Sequence, residues 1–301
     1  MPVHHVSGFQ TQLGLGPQHA SALATRQFEH FGVELDKQTR LIAPDGMLGR
    51  RGPIGDATQV GRYAVGGTIS LWPRPDDLTF LLPYVLGAAA EDDTFALAET
   101  LPELVATVDR AIQVETYRGL KVDRAIFRSG KGAPLSLDLA LQGKTVDAPA
   151  AAGTFPDLQA TLSAKNPLVH HQAKITIDET EIEVDDLTLT IDNALELEHF
   201  HNSLTRVRLP EGPREITLTF ETELSDDVLD HLIEPAPRGV TAEIEYANGV
   251  DTLRFTFGLL QQAKAPLPIQ AKGTVRPRHR FRALADWAAQ RPQLVATCTN
   301  V

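Results

Sequence analysis

Leu135-Ser136-Leu137-Asp138-Leu139-Ala140-Leu141-Gln142 alternates leucines with small or polar residues without a break. A strand turns successive side chains to opposite faces, so this octet buries one face and wets the other. The same period of two recurs in Leu187-Thr188-Leu189-Thr190-Ile191, Ile216-Thr217-Leu218-Thr219-Phe220 and Leu253-Arg254-Phe255-Thr256-Phe257. One dry and one wet face belong to antiparallel sheets rather than to doubly buried parallel ones. Asn248-Gly249 separates two such runs, 240–246 and 253–259, and is a strong hairpin signal. Gly119 reads as a second tight turn, between 108–116 and 120–128. Helical spacing is rarer. Asp76-Asp77 leads into Leu78, Leu81, Leu82, Val85 and Leu86, although Pro83 opposes a helix there. Ser225-Asp226-Asp227 caps a similar apolar segment that Pro235 ends, and a third helix is expected over 281–290. The fold class is mainly β, a sandwich or barrel with a short flanking helix.

Composition narrows the function classes. The chain has 301 residues, 42% of them hydrophobic, enough for a real core. No apolar run approaches the roughly 20 residues of a membrane helix, and no basic-plus-apolar leader opens the sequence. A lone cysteine, Cys298, excludes an internal disulfide framework. With 28 basic against 39 acidic residues the net charge is −11, opposite in sign to most proteins that grip phosphates. These features point to an acidic, soluble protein made inside a cell.

The two halves of the chain look alike. A strand containing Gly67-Thr68-Ile69-Ser70-Leu71-Trp72 precedes Asp76-Asp77, and one containing Glu215-Ile216-Thr217-Leu218-Thr219-Phe220 precedes Asp226-Asp227. Ala133-Pro134-Leu135 and Ala265-Pro266-Leu267 each begin a last strand, and the alanine-rich stretch 147–153 reads as the joint between the halves. In both halves a first strand leads into a long segment without periodicity. The first, 37–63, carries five glycines with Arg50, Arg51 and Arg62; the second, 192–213, carries Arg206 and Arg208. Loops longer than about 12–15 residues are uncommon in compact domains unless they have a job, so both are contact candidates.

Candidate chemical sites are weak. His199 and His201 would share one face of a strand and His170-His171 are adjacent, but no cysteine or carboxylate pattern completes a coordination set. No nucleophile elbow, phosphate loop or dinucleotide fingerprint is present. Acidic pairs such as Asp185-Asp186 read as the wet side of a strand. No active site, metal or cofactor is expected. The cluster Arg276, Arg278, Arg280 and Arg282 favours contact with the acidic surface of a neighbouring copy over nucleic acid.

Taken in order, several segments resemble the tail tube (major tail) proteins of long-tailed bacteriophages. They are Phe9-Gln10-Thr11-Gln12-Leu13-Gly14, Gly66-Gly67-Thr68-Ile69-Ser70-Leu71-Trp72, Val85-Leu86-Gly87 and Tyr117-Arg118-Gly119-Leu120-Lys121-Val122-Asp123. Glu181-Ile182-Glu183-Val184-Asp185-Asp186 and Leu209-Pro210-Glu211-Gly212-Pro213-Arg214 follow, and the likeness spans 9–275. The resemblance implies a tube-type β-sandwich, here in tandem: an N-terminal arm over 1–24, a first module over 25–147, a linker and lead-in strand over 148–170, a second module over 171–278 and a C-terminal arm over 279–301. The arms are expected to clamp neighbouring subunits. The resemblance also implies a non-enzymatic virion protein, assembled in the cytoplasm of an infected bacterium into stacked rings that conduct DNA. Its partners would be its own copies, three or six to a ring, and the terminator, baseplate and tape measure proteins; no membrane is involved. On this reading Arg50, Arg51, Arg62, Arg206, Arg208, Arg278 and Arg280 make contacts between rings or subunits. Asp138, Glu181, Glu183 and Glu243 are candidates for an acidic lumen wall that does not hold passing DNA. A distal tail or baseplate hub ring protein on the same fold and a carbohydrate-binding β-sandwich are the alternatives.

Overall fold

Wherever the sequence alternates, a paired strand forms. The computed structural model describes residues 7–19, 23–42, 58–224, 239–262 and 275–300. The first part of the chain supplies β1 (Gln12–Pro17), β2 (Arg26–Phe28), β3 (His30–Val33), β4 (Asp36–Ile42), β5 (Gln59–Leu71), helix α1 (Pro75–Leu86), β6 (Thr94–Ala96), β7 (Leu104–Asp109), β8 (Gln113–Gly130), β9 (Ser136–Gly143) and the short β10 (Thr145–Val146) and β11 (Ala150–Ala151). The second supplies β12 (Ala173–Ile177), β13 (Thr180–Ile182), β14 (Asp186–Asp192), β15 (Glu215–Glu221), β16 (Val240–Ala247), β17 (Thr252–Gln261), β18 (Arg278–Leu284) and β19 (Leu294–Thr299). Every ladder between these strands is antiparallel.

The pairing order repeats. In the first half the neighbours run β2–β1–β7–β8–β9–β5, and β5 then pairs with both β3 and β4. In the second they run β13–β12–β16–β17–β18–β15–β14. In both modules a long strand, β8 or β17, crosses from one layer to the other. The glycine in each sits where the layers change. Gly119 has φ +61°, and a Cβ on Gly258 would lie 2.4 Å from the Pro292 carbonyl.

Two ladders join the modules. The distal half of β8 pairs with β14 over seven positions, from Gly130↔Asp186 to Arg124↔Asp192. β6 of the first module pairs with β19 of the second. Helix α1 packs where these junctions meet, in contact with β6, β8 and β19. Pro75 at its first turn, Asp77 accepting from the Arg74 N–H at 3.1 Å and Gly87 after its last turn account for its ends. Pro83 costs the helix interior about 3 kcal/mol. Burial of Leu78, Leu81, Leu82, Val85 and Leu86, each worth about 1.5–3 kcal/mol, outweighs it.

Several expectations are corrected. Gly119 lies within β8 rather than at a turn; the chain reverses at Ala111, which has φ +65° and whose N–H donates to Asp109 Oδ1 at 2.7 Å. Residues 281–290 are not a helix. Phe281 and Ala283 are buried in β18 opposite β15, and a turn closed by the Asp286↔Arg291 bridge follows. Residues 279–300 are not an arm either, since Leu294, Ala296 and Cys298 belong to the core. At the other end Leu13 and Leu15 are fully buried, so β1 is part of the fold. The segment 37–63 is structured at both ends, where β4 and β5 form a hairpin. Its centre, with Arg50 and Arg51, lies outside the described residues, as do the helix expected after Ser225 and Ala265-Pro266-Leu267.

The lone cysteine reports on this packing. Cys298 Sγ lies 3.6 Å from the Pro75 carbonyl, between β19 and α1, and burial pushes its thiol up to about 11. A thiolate is the reactive form. A thiol reagent at pH 8 is therefore expected to label the native chain far more slowly than the urea-unfolded chain; equal rates would show that this packing is absent.

Candidate functional site

Among the described residues, no group of three or more His, Cys, Asp or Glu side chains could hold a metal ion. His199 and His201 lie in the irregular segment after β14, not on a strand. Their ring centroids are 5.6 Å apart, and His199 Nε2 is 2.7 Å from the Glu196 carboxylate. No described helix is long and apolar enough to cross a membrane.

The connection from β14 to β15, residues 193–214, has no helix or strand, as the sequence suggests. It folds back onto the first module. Arg206 is only 7% exposed and sits under this segment. Its Nη1 donates to the Val65 carbonyl at 2.9 Å, the Gln142 side chain at 3.1 Å and the Gly143 carbonyl at 3.3 Å, while Nε donates to the Leu197 carbonyl at 3.1 Å. Burial pulls its pKa down, against the attraction of Glu198 and Asp123. Arg62 pairs with Glu198 at 2.9 Å, and both Arg62 and Arg206 lie over the Phe200 ring. Asn193 donates to the Val85 and Val122 carbonyls, and Arg214 donates to Asn193 Oδ1 and the Ala98 carbonyl. Arg62 and Arg206, expected to meet another subunit, thus bind the two modules of one chain together. Arg208 is exposed.

Glu211 closes the far end of this latch. Burial alone would raise its pKa, but the Leu101 N–H at 2.7 Å and the Lys121 ammonium at 2.7 Å outweigh it, and its carboxyl lies below the ordinary range. A depressed carboxyl stabilises the fold above its unfolded value, near 4.3, and the contribution is lost as pH falls through the folded value. The urea midpoint of the wild type is therefore expected to fall more steeply between pH 6 and pH 3.5 than that of Glu211→Gln. Parallel curves would remove Glu211 from the latch.

The junction makes one continuous sheet, β4–β5–β9–β8–β14–β15–β18, whose dry side faces the core. On β9, β8, β14, β15 and β18 its wet side carries five arginines, Arg124, Arg128, Arg278, Arg280 and Arg282. Asp138, Asp186, Asp192, Glu215 and Glu221 balance them in number. Arg124 pairs with Asp192 at 2.8 Å and Arg128 with Asp138. Between them lies a block of threonines: Thr188 opposes Thr219, and Thr190 opposes Thr217. Of the four expected lumen acids, only Asp138 is on this face. Glu243 is on β16, and Glu181 and Glu183 are on or just after β13, in the other layer. The wet face is charge-balanced rather than acidic.

The last element is an edge. In the second module the outer side of β14 is taken by β8. Its counterpart in the first module is β3, which pairs with β5 and with no other strand among the described residues. Phe31, bulged out between His30 and Gly32, is half-exposed and stacks on Trp72 with ring centroids 4.8 Å apart. Neither the pairing order nor the latch was visible in the sequence, because the ladders and hydrogen bonds that decide them join residues far apart along the chain.

No curated protein matches the chain. A family model described as "Phage tail tube protein" matches residues 8–289, nearly the whole chain and both modules. With its repeated antiparallel module, the chain belongs to the phage tail tube protein family and is a structural protein of the phage tail.

Proposed function

We propose that the chain polymerises through its sheet edges into rings of three, and that the rings stack into the tube that conducts DNA. The repeated pairing order, with its internal β8–β14 ladder, carries this reading. Unpaired edges invite pairing with another strand. One such joint is already made inside the chain, and the matching edge, on β3, is open among the described residues. A neighbouring copy that offers the distal end of its second module to β3 would repeat the internal joint. Three chains would then close a ring of six modules.

The dimensions support three chains. The first module gives β4, β5, β9 and β8 to the continuous sheet and the second gives β14, β15, β18 and the end of β17 that pairs with β18, so three chains give about 24 strands; at about 4.8 Å apart they enclose a ring about 37 Å across between backbones. That leaves room for one double helix once side chains are added. Six chains would double the width. With the second loop folded onto its own chain, the β4–β5 hairpin is, among the described residues, the element for contact between rings; Arg50 and Arg51 lie between its two strands in the sequence. The wall of such a tube would be the wet face with its paired charges and threonines, and its partners at either end would be other tail proteins.

Electron microscopy of the purified full-length chain, with mass measurement of any rings, tests this reading. Tubes built from three-chain rings are expected. A monodisperse monomer at all concentrations, or six chains per ring, would overturn it.

A further inference from the structure

We propose that Arg278, Arg280 and Arg282 form a stripe that binds the phosphates of a nucleic-acid backbone. On β18 the residues between them are dry: His279, Phe281 and Ala283 are buried, and the three arginines are exposed on the wet side. Alternate residues on a strand are about 6.8 Å apart, so the three guanidinium groups stand in an evenly spaced row. Most arginines near them are spent on carboxylates. Arg276, just before the strand, pairs with Asp185 at 3.1 Å and Glu223 at 2.8 Å, while Arg124 and Arg128 on the same face are paired as described. Among the described residues, Arg278, Arg280 and Arg282 make no ion pair.

The surroundings favour a phosphate backbone over a protein partner. Thr217 lies opposite Arg282 and Thr219 opposite Arg280, placing hydroxyl donors beside those two guanidinium groups, while Glu221 lies opposite Arg278 without forming an ion pair. Protein interfaces are anchored by aromatic and arginine side chains buried in packed pockets, whereas the wet sides of β14, β15 and β18 carry no aromatic residue and the three arginines stand exposed. Among the described residues the face is open and offers no groove to read bases, so contact would go to phosphates and be independent of sequence. Guanidinium groups suit this, since their planar forks match phosphate oxygens. Contacts of this kind let a protein slide along DNA, so a short arginine row is compatible with a conduit. In that setting the inference rests on the tube reading, because it names the part of the wall that the genome touches.

The test uses the full-length chain and a fluorescent DNA duplex of arbitrary sequence, with anisotropy measured over a range of salt concentrations. Each phosphate contact adds about 0.9 to the slope of log affinity against log salt. Changing all three arginines to glutamine is expected to make the slope shallower by about 2.7, and Arg280→Gln alone by about 0.9. The triple lysine variant should keep most of the slope, since it keeps the charge. An unchanged slope in both glutamine variants would overturn the proposal. So would binding of polyglutamate but not DNA by the wild type, or loss of tubes in the triple glutamine variant, which would mark the stripe as a subunit joint. Failure of the tube reading would show differently: the wild type would make no tubes while its salt slope still depended on the stripe.

Discussion

Replacing Arg206 with alanine is expected to destabilise the chain by about 3 kcal/mol or more, the largest loss from any single polar side chain in the latch. The guanidinium supplies donors to the carbonyls of Val65, Gly143 and Leu197 and to the Gln142 side chain, and it is held by these neutral oxygens. A buried acceptor that loses its donor costs about 1–3 kcal/mol, and truncation exposes several at once. Water entering the vacated space recovers part of the loss, which keeps the sum well below the total of the individual bonds. In a chain of this size such a change lowers the melting temperature by about 5 °C or more. Arg206→Lys restores the charge but not the fork and should recover only part of it. The exposed Arg208, two residues along the same segment, gives the control, and its alanine variant should melt within about 1 °C of the wild type. Equal melting of the two alanine variants would mean that the segment between β14 and β15 does not hold the modules together.

Of the loop arginines expected at contacts between subunits, Arg62 and Arg206 are engaged inside their own chain, Arg208 is exposed, and Arg50 and Arg51 lie outside the described residues. Sequence shows that 192–213 has no period and carries cations, which is enough to suspect a docking segment. It does not show that Val65 and Gly143, more than 60 residues upstream, present carbonyls to Arg206. Cations in a loop read the same whether they meet another chain or their own. The charge balance of the wet face was hidden for a related reason. A net charge of −11 describes the whole chain, whereas a face is set by register. Glu181 and Glu243 alternate with apolar residues just as Asp138 does, yet the strands that carry them lie in the other layer.

Elements with local causes were legible. The leucine alternation of β9, the Asn248-Gly249 hairpin and α1 are each decided by neighbours a few residues apart. Misreadings fell where the usual signals were used for something else. Gly119 marks a bend in a continuous strand, while the true reversal at Ala111 has no glycine and relies on the Asp109 side chain. Phe281 and Leu284 are spaced as on a helix face, but β15 was waiting to pair with that segment, and tertiary pairing overrode the local pattern. The duplication shows the same division. Matching Asp-Asp pairs hinted at it, and the repeated ladder order gives it a structural form that a single sequence does not display.

If β3 is the open copy of the internal joint, Phe31→Pro is expected to abolish tube formation while leaving a folded chain. Proline removes an N–H and its ring obstructs an incoming strand, which is why natural edges use it to prevent pairing. Phe31 suits the test because it is bulged between His30 and Gly32 and has no partner on β5, so the existing ladder survives. Loss of the stack on Trp72 costs about 0.5–1.5 kcal/mol, a shift of about 1–2 °C in melting temperature. Phe31→Ala separates the two effects: it loses the same stack but keeps the N–H and the open edge, so it should still form tubes. The comparison is made by sedimentation and electron microscopy at a concentration where the wild type polymerises. Tubes from the proline variant would show that subunits join elsewhere, and their absence from both variants would make the aromatic pair, rather than the strand edge, the contact.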